Sequence, residues 1–372
     1  MTRTEAYLAL TLLPNIGPIR VRRLLDSFGS PQDILKANRT TLRAVPGIGN
    51  EMADTVASWE ERIDLEEEHR RIAEHDIELL TIEDESYPPL LREIHDPPFL
   101  LFLRGRIETR DVQSLAVVGS RRTSHYGKEQ ARRLSFQLAR AGFTIISGLA
   151  RGIDTAAHEA ALAAKGRTIA VLGSGIGHVY PPENRALAEE IAENGAVLSE
   201  FPVLYVPDRQ SFPLRNRIVS GMSRGILVVE APARSGSLIT ANQALEQGRS
   251  VFAVPGPVDR PTSEGCNRLI QQGASLVCSA RDVIEEMDAG LSALPLDFSG
   301  AEETVSAPAA AEVDLPSEQR ALLDLLEEGE QTADQLGERA GLPSQLVSVA
   351  LFQLEMRGRV KQLPGKYFAK LI

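Results

Sequence analysis

From residue 115 onward, short and nearly unbroken apolar runs alternate with stretches of helical period. The runs are Leu115 to Gly119, Phe143 to Ser147, Thr168 to Gly173, Ala196 to Ser199, Ile226 to Glu230 and Ser250 to Val254. Runs so short and so apolar are those of parallel strands buried on both faces, and the helical periods are the right-handed crossovers that join them. The alternation predicts a doubly wound, Rossmann-like α/β sheet over residues 80–287.

The pattern differs on both flanks. Residues 1–75 read as all-α and carry one signal twice: Leu13-Pro14-Asn15-Ile16-Gly17-Pro18 ahead of Val21 to Leu25, and Val45-Pro46-Gly47-Ile48-Gly49-Asn50 ahead of Met52 to Val56. Each is a tight turn feeding a helix, the layout of a helix-hairpin-helix that aims backbone N–H groups at a phosphate. Arg20, Arg22 and Arg23 favour DNA contact at the first copy, whereas Glu51 and Asp54 favour a packing or self-association role at the second. A charged helical stretch from Trp59 to His75, a proline-fixed connection (Tyr87 to Leu91, Asp96 to Leu100) and a strand-like Leu100 to Leu103 lead into the sheet. Residues 288–312, rich in Ala, Ser, Pro and acids, read as a flexible linker. Residues 313–372 predict a winged-helix domain: helices at Ser317 to Glu327, Thr332 to Ala340 and Ser344 to Arg357, then a hairpin of Arg359 to Leu363 and Tyr367 to Leu371. Its third helix has no Lys or Arg in Ser344 to Ala350, and only Lys361 and Lys366 lie on the wing. Protein interaction or packing is the expected role, with duplex reading the alternative.

A chain of 372 residues holds more than one domain, and no apolar run approaches the roughly 20 residues of a membrane helix. The N-terminus lacks the layout of a secretory signal, and the two cysteines, Cys266 and Cys278, have no neighbours at zinc spacing. The expectation is a cytoplasmic protein without a metal or cofactor. A net charge of −11 argues at first against nucleic acid, so local charge has to decide.

Local charge gathers where α/β sheets place their ligands, in the loops after the strands. Gly119, Ser120, Arg121 and Arg122 follow the first run; Ser147, Gly148, Arg151 and Gly152 follow the second; Gly173 and Gly175 follow the third. Arg215, Asn216 and Arg217 open the helix before the fifth run, and Ser235, Gly236 and Ser237 open the helix after it. Glycine admits close approach, hydroxyls donate, and arginine forks onto phosphate oxygens. Asp154 is placed to cap the helix that follows Gly152, with His158 on the same face as a hydrogen-bonded imidazole rather than a metal or acid–base partner. The Gly173-Ser174-Gly175-Ile176-Gly177 loop departs from a dinucleotide fingerprint, having His178 where the third glycine belongs.

The motifs Gly119-Ser120-Arg121, Ser147 to Asp154 with His158, Phe212 to Ile218, and Ser235 to Thr240 followed by Val254-Pro255-Gly256 resemble, in order and spacing, those of the DNA-processing protein A family, DprA or Smf. The likeness runs over about residues 80 to 280, and the flanks are similar to those of the longer members. It implies a dimeric, non-catalytic protein of natural transformation that binds and protects incoming single-stranded DNA and loads RecA recombinase onto it. It also implies that Ser120, Arg121, Ser147, Gly148, Arg151, Arg215 and Asn216 lie on motifs lining the DNA groove. The loops offer few aromatic faces, chiefly Tyr126, Tyr180 and Phe212, so binding is expected to be dominated by phosphate and steep in salt. The rival reading is a nucleoside-phosphate hydrolase of the lysine decarboxylase-like fold, with Asp154 and Glu230 as the only obvious acids near the loops.

Overall fold

The computed structural model describes residues 1–288, 316–326, 329, 331–356, 359–363 and 367–370. They divide between Leu294 and Pro295 into two compact units. Of the linker expected over 288–312, all but Asp288 lies outside the described residues, as does Lys366 of the expected wing.

The first unit is built on a nine-stranded sheet. Its strands are β1 Glu78–Thr81, β2 Leu100–Gly105, β3 Ser114–Val118, β4 Thr144–Ser147, β5 Thr168–Leu172, β6 Ala196–Ser199, β7 Gly225–Val228, β8 Ser250–Ala253 and β9 Ser275–Leu276. The order across the sheet is β1-β2-β6-β5-β4-β3-β7-β8-β9. From β6 to β9 every pairing is parallel, while β2 joins β6 antiparallel and β1 extends that edge. The six apolar runs are thus the six central strands. β1 and β9 carry no such run: β1 is buried on its Leu80–Thr81 end only, and β9 has two residues.

Alternate side chains of β3 serve opposite faces, as strand geometry requires. Leu115 and Val117 pack with Leu134, Leu138, Ala156 and Val283 of the helices His125–Arg140, Ile153–Ala163 and Ala280–Asp288. Ala116 and Val118 pack with Ile218, Val219, Ala241 and Leu269 of the helices Ser211–Gly221, Gly236–Glu246 and Glu264–Gln271. The chain leaves β3 toward β4, β5 and β6 on one side, then returns to lay β7, β8 and β9 on the other. The sheet therefore reverses its order between β3 and β7, which opens a crevice beyond the C-terminal ends of those strands.

The N-terminal helices share a core with the sheet. Tyr7, Leu8, Leu24 and Ile34 belong to one buried cluster with Phe102, Leu172, Ile176 and Val203. Both hairpin glycines, Gly17 and Gly49, are extended N-caps of the helices Pro18–Phe28 and Asn50–Ala57. The first hairpin's arginines grip the protein: Arg20 donates to the Asn15 carbonyl at 2.7 Å, Arg22 to the His95 carbonyl, and Arg23 lies against Gly47 of the second hairpin.

In the second unit the helices Ser317–Leu326, Ala333–Ala340 and Ser344–Met356 enclose Leu322, Leu336, Val347 and Leu351. The strand Tyr367–Lys370 pairs antiparallel with both Val360–Leu363 and the two-residue strand Gln331–Thr332, completing a winged helix.

Candidate nucleic-acid interface

Two loops form the floor of the crevice, and they touch through their backbones. Gly152 has φ +82° and ψ −119° and caps the helix Ile153–Ala163. A Cβ there would run into the Ser120 carbonyl oxygen, and the Ile153 N–H donates to that same oxygen at 3.3 Å. Only glycine lets the loops after β3 and β4 come this close. Ser120 is 6 % exposed, and its hydroxyl accepts from the Arg122 N–H at 3.1 Å and donates to the Arg122 carbonyl at 2.9 Å. That small turn lifts Arg121 and Arg122 into solvent.

Glu230, 3 % exposed at the end of β7, ties this loop from the other side. Its carboxylate accepts from the Thr123 hydroxyl at 2.6 Å and the Ser124 N–H at 2.8 Å, and its carbonyl accepts from the Ser120 N–H at 2.7 Å. Ser124 in turn caps the helix His125–Arg140. The β3 loop is thus rigid at both ends and carries its arginines on a fixed stem.

The outer wall is aromatic. The Arg121 guanidinium lies over the Phe212 ring at 4.7 Å, and Phe212 is tilted against Tyr180 with centroids 5.9 Å apart. Arg151, exposed, pairs with Glu183 and also meets Tyr180. Arg121, Phe212, Tyr180 and Arg151 therefore form one continuous row. Among the described residues no carboxylate forms an ion pair with Arg121 or Arg122, although the charge of Arg121 acts on buried Asp154. Half-buried Asn216 stands next to this row on the helix Ser211–Gly221.

Several residues expected in the groove are interior instead. Ser147 is fully buried and donates to the Val117 carbonyl at 2.6 Å, as a hydroxyl inside a sheet must to satisfy its polarity. Arg215, 3 % exposed, runs beneath the β4 loop and donates to the Gly148 and Val171 carbonyls, and Gly148 is buried directly against its guanidinium. Burial lowers Arg215 to about 10, with nearby Asp154 opposing that shift. It stays charged at neutral pH. Arg217 is held by Glu200 and Asp96. Gly173 backs the Phe212 ring, and Gly175 is packed on the Pro202–Val203 backbone. These residues shape the crevice without facing it.

Ser235, Gly236 and Ser237 start the helix Gly236–Glu246, and Ser235 accepts from the Ser237 N–H at 3.3 Å. Ser235 lines a separate cavity of about 530 Å³ with Arg234, Leu238, Arg268 and Gln272. Arg234 was not singled out by the motifs, although its place directly before a capping serine at a strand's end was visible.

Asp154 and His158 do not bond to each other. Asp154 accepts from the Gly148 and Ala150 N–H groups at 3.2 and 3.3 Å, so it closes the loop before its own helix rather than capping that helix, which Gly152 does. Burial raises its carboxyl above the usual range, opposed by Arg215. The Thr168 hydroxyl donates to the Ile145 carbonyl, which leaves it to accept from His158 Nδ1 at 2.7 Å. Burial, reinforced by Arg215, lowers the imidazole to about 3, so it is neutral at physiological pH.

Comparison with known proteins agrees with this architecture piece by piece. Residues 7–58 match the SAM-like helix-hairpin-helix tandem, 78–288 the family described as DNA recombination-mediator protein A, and 306–366 the DprA winged helix domain. Protein Smf of Synechocystis sp. is 36% identical over 98% of this chain and 98% of its own. The crystal structure of DNA processing protein A from Streptococcus pneumoniae superposes with a TM-score of 0.67 at 36% identity, covering 77% of this chain and 98% of that one. The same protein from Helicobacter pylori, whose structure concerns its mode of binding single-stranded DNA, gives 0.51 at 30% identity over 58% and 98%. The chain belongs to the DNA recombination-mediator protein A family, whose members are also named DprA and Smf.

Proposed function

We propose that the crevice between β3 and β7 binds single-stranded DNA without catalysis, and that the protein hands the strand to a recombinase. The observation that carries this reading is the row of Arg121, Phe212, Tyr180 and Arg151, with exposed Arg121 and Arg122 in no ion pair among the described residues. Phosphate oxygens meet the cations, and the rings offer stacking surface to bases of any sequence. Arg121, Arg122, Arg151, Gly152 and Asn216 make the contacts, with Gly119 and Ser120 as the stem; Ser147, Gly148, Arg215, Arg217, Gly173 and Gly175 support them from behind. Ser235, Gly236 and Ser237 offer a second, neighbouring anion site.

The single-stranded DNA binding of the Helicobacter pylori relative supports the choice of ligand. The homodimer, the loading of RecA and the role in natural transformation rest on family membership. Against the hydrolase reading, Asp154 and Glu230 are both interior and committed to backbone N–H groups. The test is equilibrium binding of labelled oligo-dT and a matched duplex across a salt series. Tight single-strand preference with a steep salt slope, sharply weakened by Arg121→Ala, is expected; binding indifferent to strandedness and to Arg121 would overturn the reading.

A further inference from the structure

The loops behind the wall that carries Phe212 and Tyr180 meet the N-terminal helical region through a shared apolar cluster and through one buried carboxylate. Glu68, on the helix Leu65–Glu74, is 2 % exposed and accepts from the Val203 N–H at 2.7 Å. Its other oxygen lies 3.3 Å from Arg71. Val203 sits in the loop after β6, and that loop is laced to the loop after β5: Gly177 donates to the Val203 carbonyl at 2.9 Å, and Gly175 to the Tyr205 carbonyl at 3.0 Å. Phe201 and Tyr205 stack at 4.5 Å across its turn. The β5 loop then meets the aromatic wall, since Gly173 packs on the Phe212 ring and Tyr180 leans against it. His75, at the end of the same helix, lies against Gly177.

A carboxyl side chain left 2 % exposed is costly to bury unless it is bonded, and a helix needing only to pack would present an apolar residue there. Glu68 instead pairs with Arg71 on its own helix and accepts from one backbone N–H of a crevice loop. We propose that Glu68 is a positioning residue for DNA binding, by which the N-terminal helical region sets the placement of the Phe212–Tyr180 wall. This rests on the single-stranded DNA reading above, and it gives the helical region a part in binding without any contact to DNA.

The test uses the full-length protein and oligo-dT containing one 2-aminopurine, whose fluorescence reports stacking separately from affinity. Glu68→Ala is expected to weaken binding by about tenfold, roughly the value of one stacked base, and to lose the quenching while the salt slope is retained. Glu68→Gln, whose amide oxygen still accepts from Val203, is expected to restore both. Wild-type affinity and quenching in a cooperatively melting Glu68→Ala protein would overturn the proposal, as would a Gln variant no better than Ala. Should Glu68→Ala fail to fold, Gly177→Ala decides by the same readouts. Its new Cβ crowds Leu204, His75 and Val203 at 2.8 to 3.0 Å and shifts the junction from the other side. Arg121→Ala runs alongside. If it binds like wild type, the groove reading has failed; if it alone weakens binding, only the role of Glu68 has failed.

Discussion

The two edges of the parallel sheet are both rich in arginine, yet they are opposites in chemistry. At the N-terminal edge Arg106, Arg110, Lys165 and Arg167 line a cavity of about 210 Å³. There Arg167 is 6 % exposed and bonds both oxygens of Asp111 at 2.6 and 3.0 Å, and Glu108 accepts from Arg167, Arg106 and Arg110. At the C-terminal edge Arg121 lies on an aromatic ring, Arg122 extends into solvent, and Arg151 pairs with exposed Glu183. Counting cations would rank the edges alike. What separates them is ion pairing: the first edge commits its arginines to Asp111 and Glu108, and the second leaves Arg121 and Arg122 in no ion pair among the described residues.

The largest effect that sharpens this contrast is on stability. Arg167→Ala leaves Asp111 buried without its cation and is expected to cost about 3–5 kcal/mol in denaturant unfolding, with oligo-dT affinity of the folded protein unchanged. A fall in affinity would tie the two edges together and break the contrast.

Beneath the crevice, His158 gives a pH signature. Its folded value is about 3 against an ordinary 6.5, so between those limits the unfolded chain binds a proton that the native protein does not. Stability from this site is therefore complete above 6.5 and declines as pH falls toward 3, by at most about 1.4 kcal/mol per pH unit. Melting His158→Gln alongside the wild type over this range should show a shallower slope; identical slopes would place the imidazole's proton elsewhere.

Arg121→Ala should weaken oligo-dT binding by about tenfold and lower the salt slope by about one, with little change in melting temperature. The smallest effect is the most diagnostic of neutralisation. Glu183→Gln frees Arg151 at the crevice mouth and is expected to tighten binding about twofold without altering stability, because an exposed pair contributes little. Weaker binding would show that Glu183 serves the site directly.

The six central strands, the two hairpins and the winged helix were legible in the chain because each is written locally, in apolar runs, capping residues and turn glycines spaced along a few residues. The loops at the crevice were legible for the same reason: Gly119-Ser120-Arg121 and Gly148 to Gly152 follow their strands directly. The division of labour among the arginines was not. Arg121, Arg215 and Arg217 look alike in sequence, and only the tertiary structure sends the first to solvent over Phe212 and the other two inward, to Gly148 and Val171 carbonyls and to Glu200. The same holds for Glu68, one acid in a charged helix until the fold sets it against Val203, 135 residues on. Periodicity and turn chemistry depend on near neighbours, so the sequence by itself determines the elements and their class. Burial and neutralisation depend on partners brought together from distant segments, and those only the folded chain decides.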